Sequence, residues 1–261
     1  MGSAHQAGFS QPLSNKYLHP ATEYLDISID SRSFIRRLFR SSKLRILVWL
    51  SQRMTITIDR QIQQQPLSFD EFLDRYGGDN RYELIDGEVF DLEPTGSHEE
   101  VAAFITTKIC VQIDLTGLPW FVLQRGILRP DNIGMTAFRP DVAVVNRNQL
   151  TQEIYWSEQS ILTLGSSIKF VAEVVSSNWQ NDYSRKVEDY AVLGIPEYWI
   201  ADYAGLGGTR HIGKPKQPTL SICTLVDGDY EIQQLRGSQA IVSPTFPDLK
   251  LTAEQVLRAG R

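Results

Sequence analysis

Cysteine is scarce in this chain: 261 residues hold two, Cys110 and Cys223. A pair so far apart supplies neither a disulfide framework nor a zinc-ligand spacing, which leaves a reduced, cytoplasmic protein as the reading. There is no cluster of cysteine and histidine, no G-x-S-x-G, and no phosphate-cradling glycine loop. Gly205-Leu206-Gly207-Gly208 comes nearest, but it lacks the lysine that follows in a P-loop. These absences exclude a zinc module, a serine-hydrolase elbow and a Walker-type nucleotide site. Long apolar runs are missing too. In the N-terminal part the strongest is LRILVWL, seven residues interrupted by Arg45, against the roughly 20 that a membrane-spanning helix needs.

Positive charge is also missing from most of the chain. Residues 54–261 carry 18 Lys and Arg against 28 Asp and Glu, a balance of −10, whereas residues 1–53 carry 8 against 3, a balance of +5. The acidic part has no legible basic face, which argues against tight, electrostatically driven nucleic-acid binding. It argues less against a nuclease, whose metal site itself needs clustered carboxylates.

What the chain does have is 42% hydrophobic and 10% aromatic residues, enough for a substantial core. Residues 1–53 are read as a poorly ordered basic extension, and 54–261 as one folded domain. Ser68 with Glu71 three residues on forms a capping box ahead of a short helix. Asp86-Gly87 between apolar runs predicts a hairpin with strands near 81–85 and 88–92. Ser97 with Glu100 predicts the start of a longer helix that Gly117-Leu118-Pro119 ends. WFVLQRGILRP, RPDVAVVN and IKFVAEVVS read as strands, the last two nearly continuous in apolar residues and so buried. Residues 147–166 show no period and read as a polar excursion. A helix over 181–193, the strand PEYWIAD, a hairpin around Asp227-Gly228-Asp229 and a helix from about Thr252 complete an α/β sandwich around a mixed β-sheet flanked by helices.

Three carboxylates fall on predicted strands: Glu83, Asp141 after Pro140, and Glu173 within IKFVAEVVS. A buried unpaired carboxylate costs several kcal/mol before it neutralises. Convergence on Mg²⁺, a hard cation that takes oxygen ligands and keeps several waters, removes that cost. Lys186 stands beside them if the helix packs its 182/186/189/193 stripe on the strand end.

Pro140-Asp141 followed by Glu173-Val174-Val175 resembles the PD-(D/E)XK nuclease core, with Val175 where the lysine is expected. More closely, YELIDGEV, RPDVAVV, FVAEVVS, DYSRKVEDYAVLGIPEYWIAD and FPDLKL are similar to the Uma-two family of restriction-endonuclease-like proteins, over about residues 66–257. That family displaces the lysine to the following helix, in a D-x-x-x-K-x-x-x-Y pattern that Asp182, Lys186 and Tyr190 occupy here. The resemblance implies a restriction-endonuclease-like core with an added C-terminal β-hairpin, and Mg²⁺-dependent hydrolysis of DNA, Mn²⁺ being a possible substitute. It implies that Asp141, Glu173 and the carbonyl of Val174 ligate the metal, that Lys186 orients or activates water, and that Glu83 supports the site. A homodimer is expected because double-strand cleavage needs two sites, although no residue demonstrates it.

Each residue also has an ordinary reading. Glu173 could be half of a structural ion pair, Asp141 a strand-entry residue, and Lys186 an i,i+4 partner of Asp182 on a solvated face. Glu83 could lie on the wet side of the hairpin, and His98 reads first as a solvated first-turn histidine and second, from its place near the cleft, as a candidate for phosphate contact. The alternative at the level of function is a catalytically inactive nuclease-like module that binds nucleic acid or protein. The acidic balance and Val175 both favour it.

Overall fold

The computed structural model describes residues 65–130 and 134–261; the extension read over 1–53 lies outside them. Helix α1 (Phe69–Tyr76) starts at Ser68, whose side chain and that of Glu71 satisfy each other's backbone N–H groups as expected. Strands β1 (Tyr82–Ile85) and β2 (Glu88–Asp91) follow as an antiparallel hairpin. Its turn residues Asp86 and Gly87 have φ of 52° and 82°, the left-handed pair that matches the twist of the strands. Helix α2 (Gly96–Thr116) ends at Gly117, also left-handed at φ 63°.

The start of α2 differs from the sequence reading. The capping residue is Thr95, whose Oγ1 accepts the His98 N–H at 3.3 Å. The cap therefore lies two residues before Ser97, and no Glu100 capping box forms. WFVLQRGILRP is likewise two strands, β3 (Trp120–Leu123) and β4 (Ile127–Leu128), separated by a bend. At that bend a Cβ on Gly126 would meet the Leu123 side chain at 2.5 Å.

Strand β5 (Val142–Asn146), β7 (Ile168–Val174), β8 (Glu197–Asp202), β9 (Thr219–Val226) and β10 (Asp229–Leu235) join β3 in a six-stranded mixed sheet of order β10-β9-β8-β7-β5-β3. Within this sheet only β7 and β8 pair in parallel, bridged by a π-type turn (Asn181–Arg185) and helix α4 (Lys186–Leu193). The C-terminal hairpin β9–β10 extends this same sheet. Alternation along the strands covers both faces. Val142, Val144, Phe170, Ala172 and Trp199 pack against Val101, Ile105 and Ile109 of α2. Ala143, Val145, Val171, Tyr198 and Ile200 pack with Tyr190 of α4.

Residues 147–166 are docked rather than an excursion. They form a 3₁₀ segment (Arg147–Gln152), the short helix α3 (Trp156–Gln159) and β6 (Ile161–Leu162), which pairs in parallel with β4. Glu153 is buried, and its carboxylate accepts N–H bonds from Thr163 and Leu164 at 2.8 and 3.1 Å. Buried Ile161 joins a third apolar cluster with Phe69, Phe72, Leu84, Ile127 and Ala137. That cluster holds the β1–β2 hairpin in place. Two short helices, α5 (Thr209–Ile212) and α6 (Ala253–Leu257), complete the elements; α6 starts where the sequence predicts, and Thr252 caps it.

Candidate active site

Register places the first two residues. Val142 of β5 is opposite Ala172 of β7 in an antiparallel ladder, so Asp141, one step before the strand, comes beside Glu173. The 147–166 insertion does not separate them. Asp141 Oδ2 accepts the Val174 N–H at 2.7 Å. Along β7, Glu173 shares the parity of Val171 and Val175, the face that α4 covers. The β1–β2 hairpin delivers Glu83 to the same place, and the first turns after β7 deliver Asp182 and Lys186.

Lys186 is the centre of the cluster. Its Nζ lies 3.1 Å from Glu173 Oε1, 3.3 Å from Glu83 Oε2 and 3.4 Å from Asp182 Oδ1, and the side chain is 3% exposed. The solvated-face reading of Lys186 therefore fails, as does the wet-face reading of Glu83, which is buried. Glu83 Oε2 has no hydrogen-bond partner despite its closeness to the ammonium, so that pair is held by charge alone. The Tyr190 hydroxyl donates to Glu173 Oε1 at 2.7 Å from a fully buried ring.

Electrostatics follow from this crowding. Burial pushes the Glu173 carboxyl well above the usual carboxylate range, against the pull of Lys186. Burial also raises Asp182, to about 7, again with Lys186 opposing. For Lys186 burial acts downward, but Glu173, Glu83 and Asp182 outweigh it and hold the ammonium well above its ordinary value. Four carboxylates around one lysine leave negative charge in excess, and their mutual repulsion adds to burial in raising Glu173 and Asp182.

His98 is the residue the sequence reading misplaced. It is buried rather than solvated, with Nε2 3.3 Å from Asp141 Oδ2 and Nδ1 without a hydrogen-bond partner, 4.0 Å from Glu99 Oε1. Burial pulls its pKa down, but the hydrogen bond and charge of Asp141 prevail and raise it. The earlier start of α2 is the reason: capping at Thr95 turns His98 inward onto the strand ends.

These groups floor a cleft of about 510 Å³ whose rim includes Arg81, Gln124, Arg125 and Arg139. Arg139 is itself tied down, donating to the carbonyls of Tyr82 and Gly77 at 2.9 Å. Among the described residues, no three acidic, histidine or cysteine side chains converge closely enough to hold a metal ion by themselves.

A family model described as "Putative restriction endonuclease", Uma2, matches residues 69–254. The chain belongs to the Uma2 family. Its fold is similar to that of "a putative nuclease belonging to DUF820 from Anabaena variabilis ATCC 29413", with a TM-score of 0.58 at 14% identity, over 75% of this chain and 100% of that one. At so low an identity the likeness concerns the fold, which is nuclease-like. No curated protein matches the chain. Family membership makes this a nuclease-family protein, and no helix among its described residues is long and apolar enough to cross a membrane. In this Uma2 chain the D-x-x-x-K-x-x-x-Y residues all face the same carboxylate: Lys186 and Tyr190 contact Glu173 directly, and Asp182 reaches it through Lys186.

Proposed function

We propose that this Uma2 chain is a Mg²⁺-dependent endonuclease that hydrolyses DNA phosphodiester bonds, with Mn²⁺ able to substitute. The observation that carries the reading is the pairing of Asp141 with Glu173 at a cleft floor over which one buried lysine is held. The donor set suits a hard divalent cation. Such an ion takes one or two carboxylates and keeps several waters, so Asp141, Glu173 and the Val174 carbonyl suffice without a third acidic side chain. The buried Glu83 Oε2, which has an ion-pair contact to Lys186 but no hydrogen bond, and the excess of carboxylates over lysine are what such a charge would relieve. A bound Mg²⁺ would supply Lewis acidity toward a phosphoryl oxygen and toward water.

The chain's own residues have distinct tasks in this reading. The Val174 N–H and His98 fix the rotamer of Asp141. Tyr190 orients Glu173. Lys186 carries the fixed positive charge that meets the developing charge on the phosphate and orients the attacking water. Glu83 holds Lys186 from the hairpin side and accepts a hydrogen bond from that water. Two such sites in a homodimer would serve double-strand cleavage.

One observation favours the second reading, a catalytically inactive nuclease-like module: Lys186 is already in contact with three carboxylates, which can make a closed structural ion cluster. Calorimetric titration with Mg²⁺ and Mn²⁺ separates the two. The nuclease reading expects binding at millimolar concentration or tighter, lost in Asp141→Ala. Absence of affinity in the wild type would leave the binding module.

A further inference from the structure

Between Asp202 and Asp227 the chain carries no Asp or Glu, yet it holds Arg210, Lys214 and Lys216. That is unusual in a segment whose overall balance is −10, with 28 acidic residues against 18 basic between 54 and 261. The three cations lie in the connection from β8 to β9, and the glycine group that is not a P-loop lies at its start. Asp202 anchors it, accepting N–H bonds from Leu206 and Gly207, both at 2.8 Å.

The two adjacent glycines decide where the loop lies. A Cβ on Gly207 would stand 2.9 Å from the Tyr183 ring, and one on Gly208 would stand 2.8 Å from the Trp179 ring. Their lack of side chains lets the loop lie directly on residues 179–183. His211 then stacks on Tyr183 with centroids 4.9 Å apart and meets Trp179 edge-on at 6.0 Å. Lys216 Nζ sits over the Trp179 ring at 5.9 Å, where the ring quadrupole attracts it, and donates to the Leu206 carbonyl at 3.0 Å. Asn178, Asn181 and Asp182, the neighbours of Trp179, line the cleft. The basic loop is thus seated against the wall of the candidate active site.

Arg210, Lys214 and Lys216 are exposed, and among the described residues none of them has a carboxylate within ion-pair distance. Among the described residues the exposed cations of this loop therefore have no carboxylate partner, in a domain that would otherwise repel a polyanion. We propose that the loop Tyr203–Pro218 grips the phosphate backbone of duplex DNA flanking the cleft, so that the substrate is a polynucleotide rather than a small phosphodiester. The inference rests on reading the cleft as a nuclease site. A continuous duplex is the occupant that places several phosphates at the loop while one lies over Asp141 and Glu173.

The test is salt-dependent binding of a labelled duplex oligonucleotide by anisotropy, with a chelator present so that no cleavage runs. Each phosphate contact adds about 0.9 to the slope of log affinity against log salt, so losing three removes about 2.7. Raising salt from about 50 to about 200 mM should then weaken the wild type roughly 40-fold more than it weakens Arg210→Ala/Lys214→Ala/Lys216→Ala. Arg210→Lys should keep the wild-type slope, and thermal melts should stay close to the wild type because Arg210 and Lys214 are exposed and Lys216 gives up only one exposed hydrogen bond and one ring contact. An unchanged slope in the triple variant, or no duplex binding by the wild type at low salt, overturns the proposal. A wild type that binds through the loop yet never cleaves with Mg²⁺ or Mn²⁺ refutes the hydrolase reading and leaves the loop assignment standing. A triple variant that binds and cleaves as the wild type does refutes the loop and leaves the hydrolase.

Discussion

Replacing Lys186 by methionine removes a buried charge while keeping close to the same volume, so the loss should be electrostatic rather than a cavity effect. Its Nζ stands 3.1, 3.3 and 3.4 Å from Glu173, Glu83 and Asp182. At an effective dielectric constant of about 20, each contact is worth roughly 5 kcal/mol of Coulomb attraction. Much of that is offset by the desolvation of the buried ions. Breaking a buried ion cluster by deleting one partner costs about 3–5 kcal/mol, because the remaining charges are left uncompensated. Lys186→Met should therefore lose about 3–5 kcal/mol in urea denaturation near pH 8 in chelator. Near pH 5 the loss should shrink, since the Glu173 and Asp182 carboxyls, both raised by burial, can then take up protons in place of the lysine charge. Adding Glu83→Gln should restore part of the stability at pH 8. A loss below about 1 kcal/mol at pH 8, or an equal loss at both pH values, would refute the assignment of Lys186 as their common counter-charge.

Two more outcomes follow from the same cluster. Burial raises Asp182 from its ordinary 3.8 to about 7 in the folded chain, against the pull of Lys186. A carboxyl raised on folding contributes stability that is complete below its unfolded pKa and is lost as pH rises through the folded value. Metal-free wild type should therefore lose stability between about pH 4 and about pH 7, and Asp182→Asn should flatten that part of the profile in thermal melts across the window. Tyr190→Phe deletes a 2.7 Å hydrogen bond to Glu173 and nothing else in volume terms. A bond to a charged acceptor is worth about 1.5–3 kcal/mol, and chemical denaturation should find that loss.

Much of the scaffold was legible because its signals are local. The Ser68–Glu71 capping box, the Asp86-Gly87 turn and the helix start near Thr252 depend on neighbours within three or four residues, and all three form as read. Glu173 stood out for a related reason: a carboxylate at a buried position in a period-2 strand needs a partner wherever the strand is placed. Lys186 was legible only through its family spacing, because helix periodicity alone fits a solvated i,i+4 pair with Asp182 equally well. The misses are tertiary. His98 looked solvated because two glutamates follow it, and only the cap at Thr95 turns it toward Asp141. Residues 147–166 showed no period because their order comes from β4, Glu153 and Thr163 rather than from a repeating face. The hydroxyl of Tyr190 was hidden behind the core role of its ring.

The central claim is that Asp141 and Glu173 make the cleft a metal-dependent DNA-hydrolysing centre. It is tested most directly by nicking of supercoiled plasmid with Mg²⁺ or Mn²⁺, comparing wild type with Glu173→Gln. The amide keeps the shape of the side chain and an acceptor for Tyr190 while removing the charge, and matched circular dichroism would verify the fold. The account predicts nicking by the wild type that stops in chelator and falls by about two orders of magnitude or more in the variant, the scale of losing one electrostatic catalytic group. Equal nicking by both proteins, or none by a correctly folded wild type at millimolar metal, would contradict it.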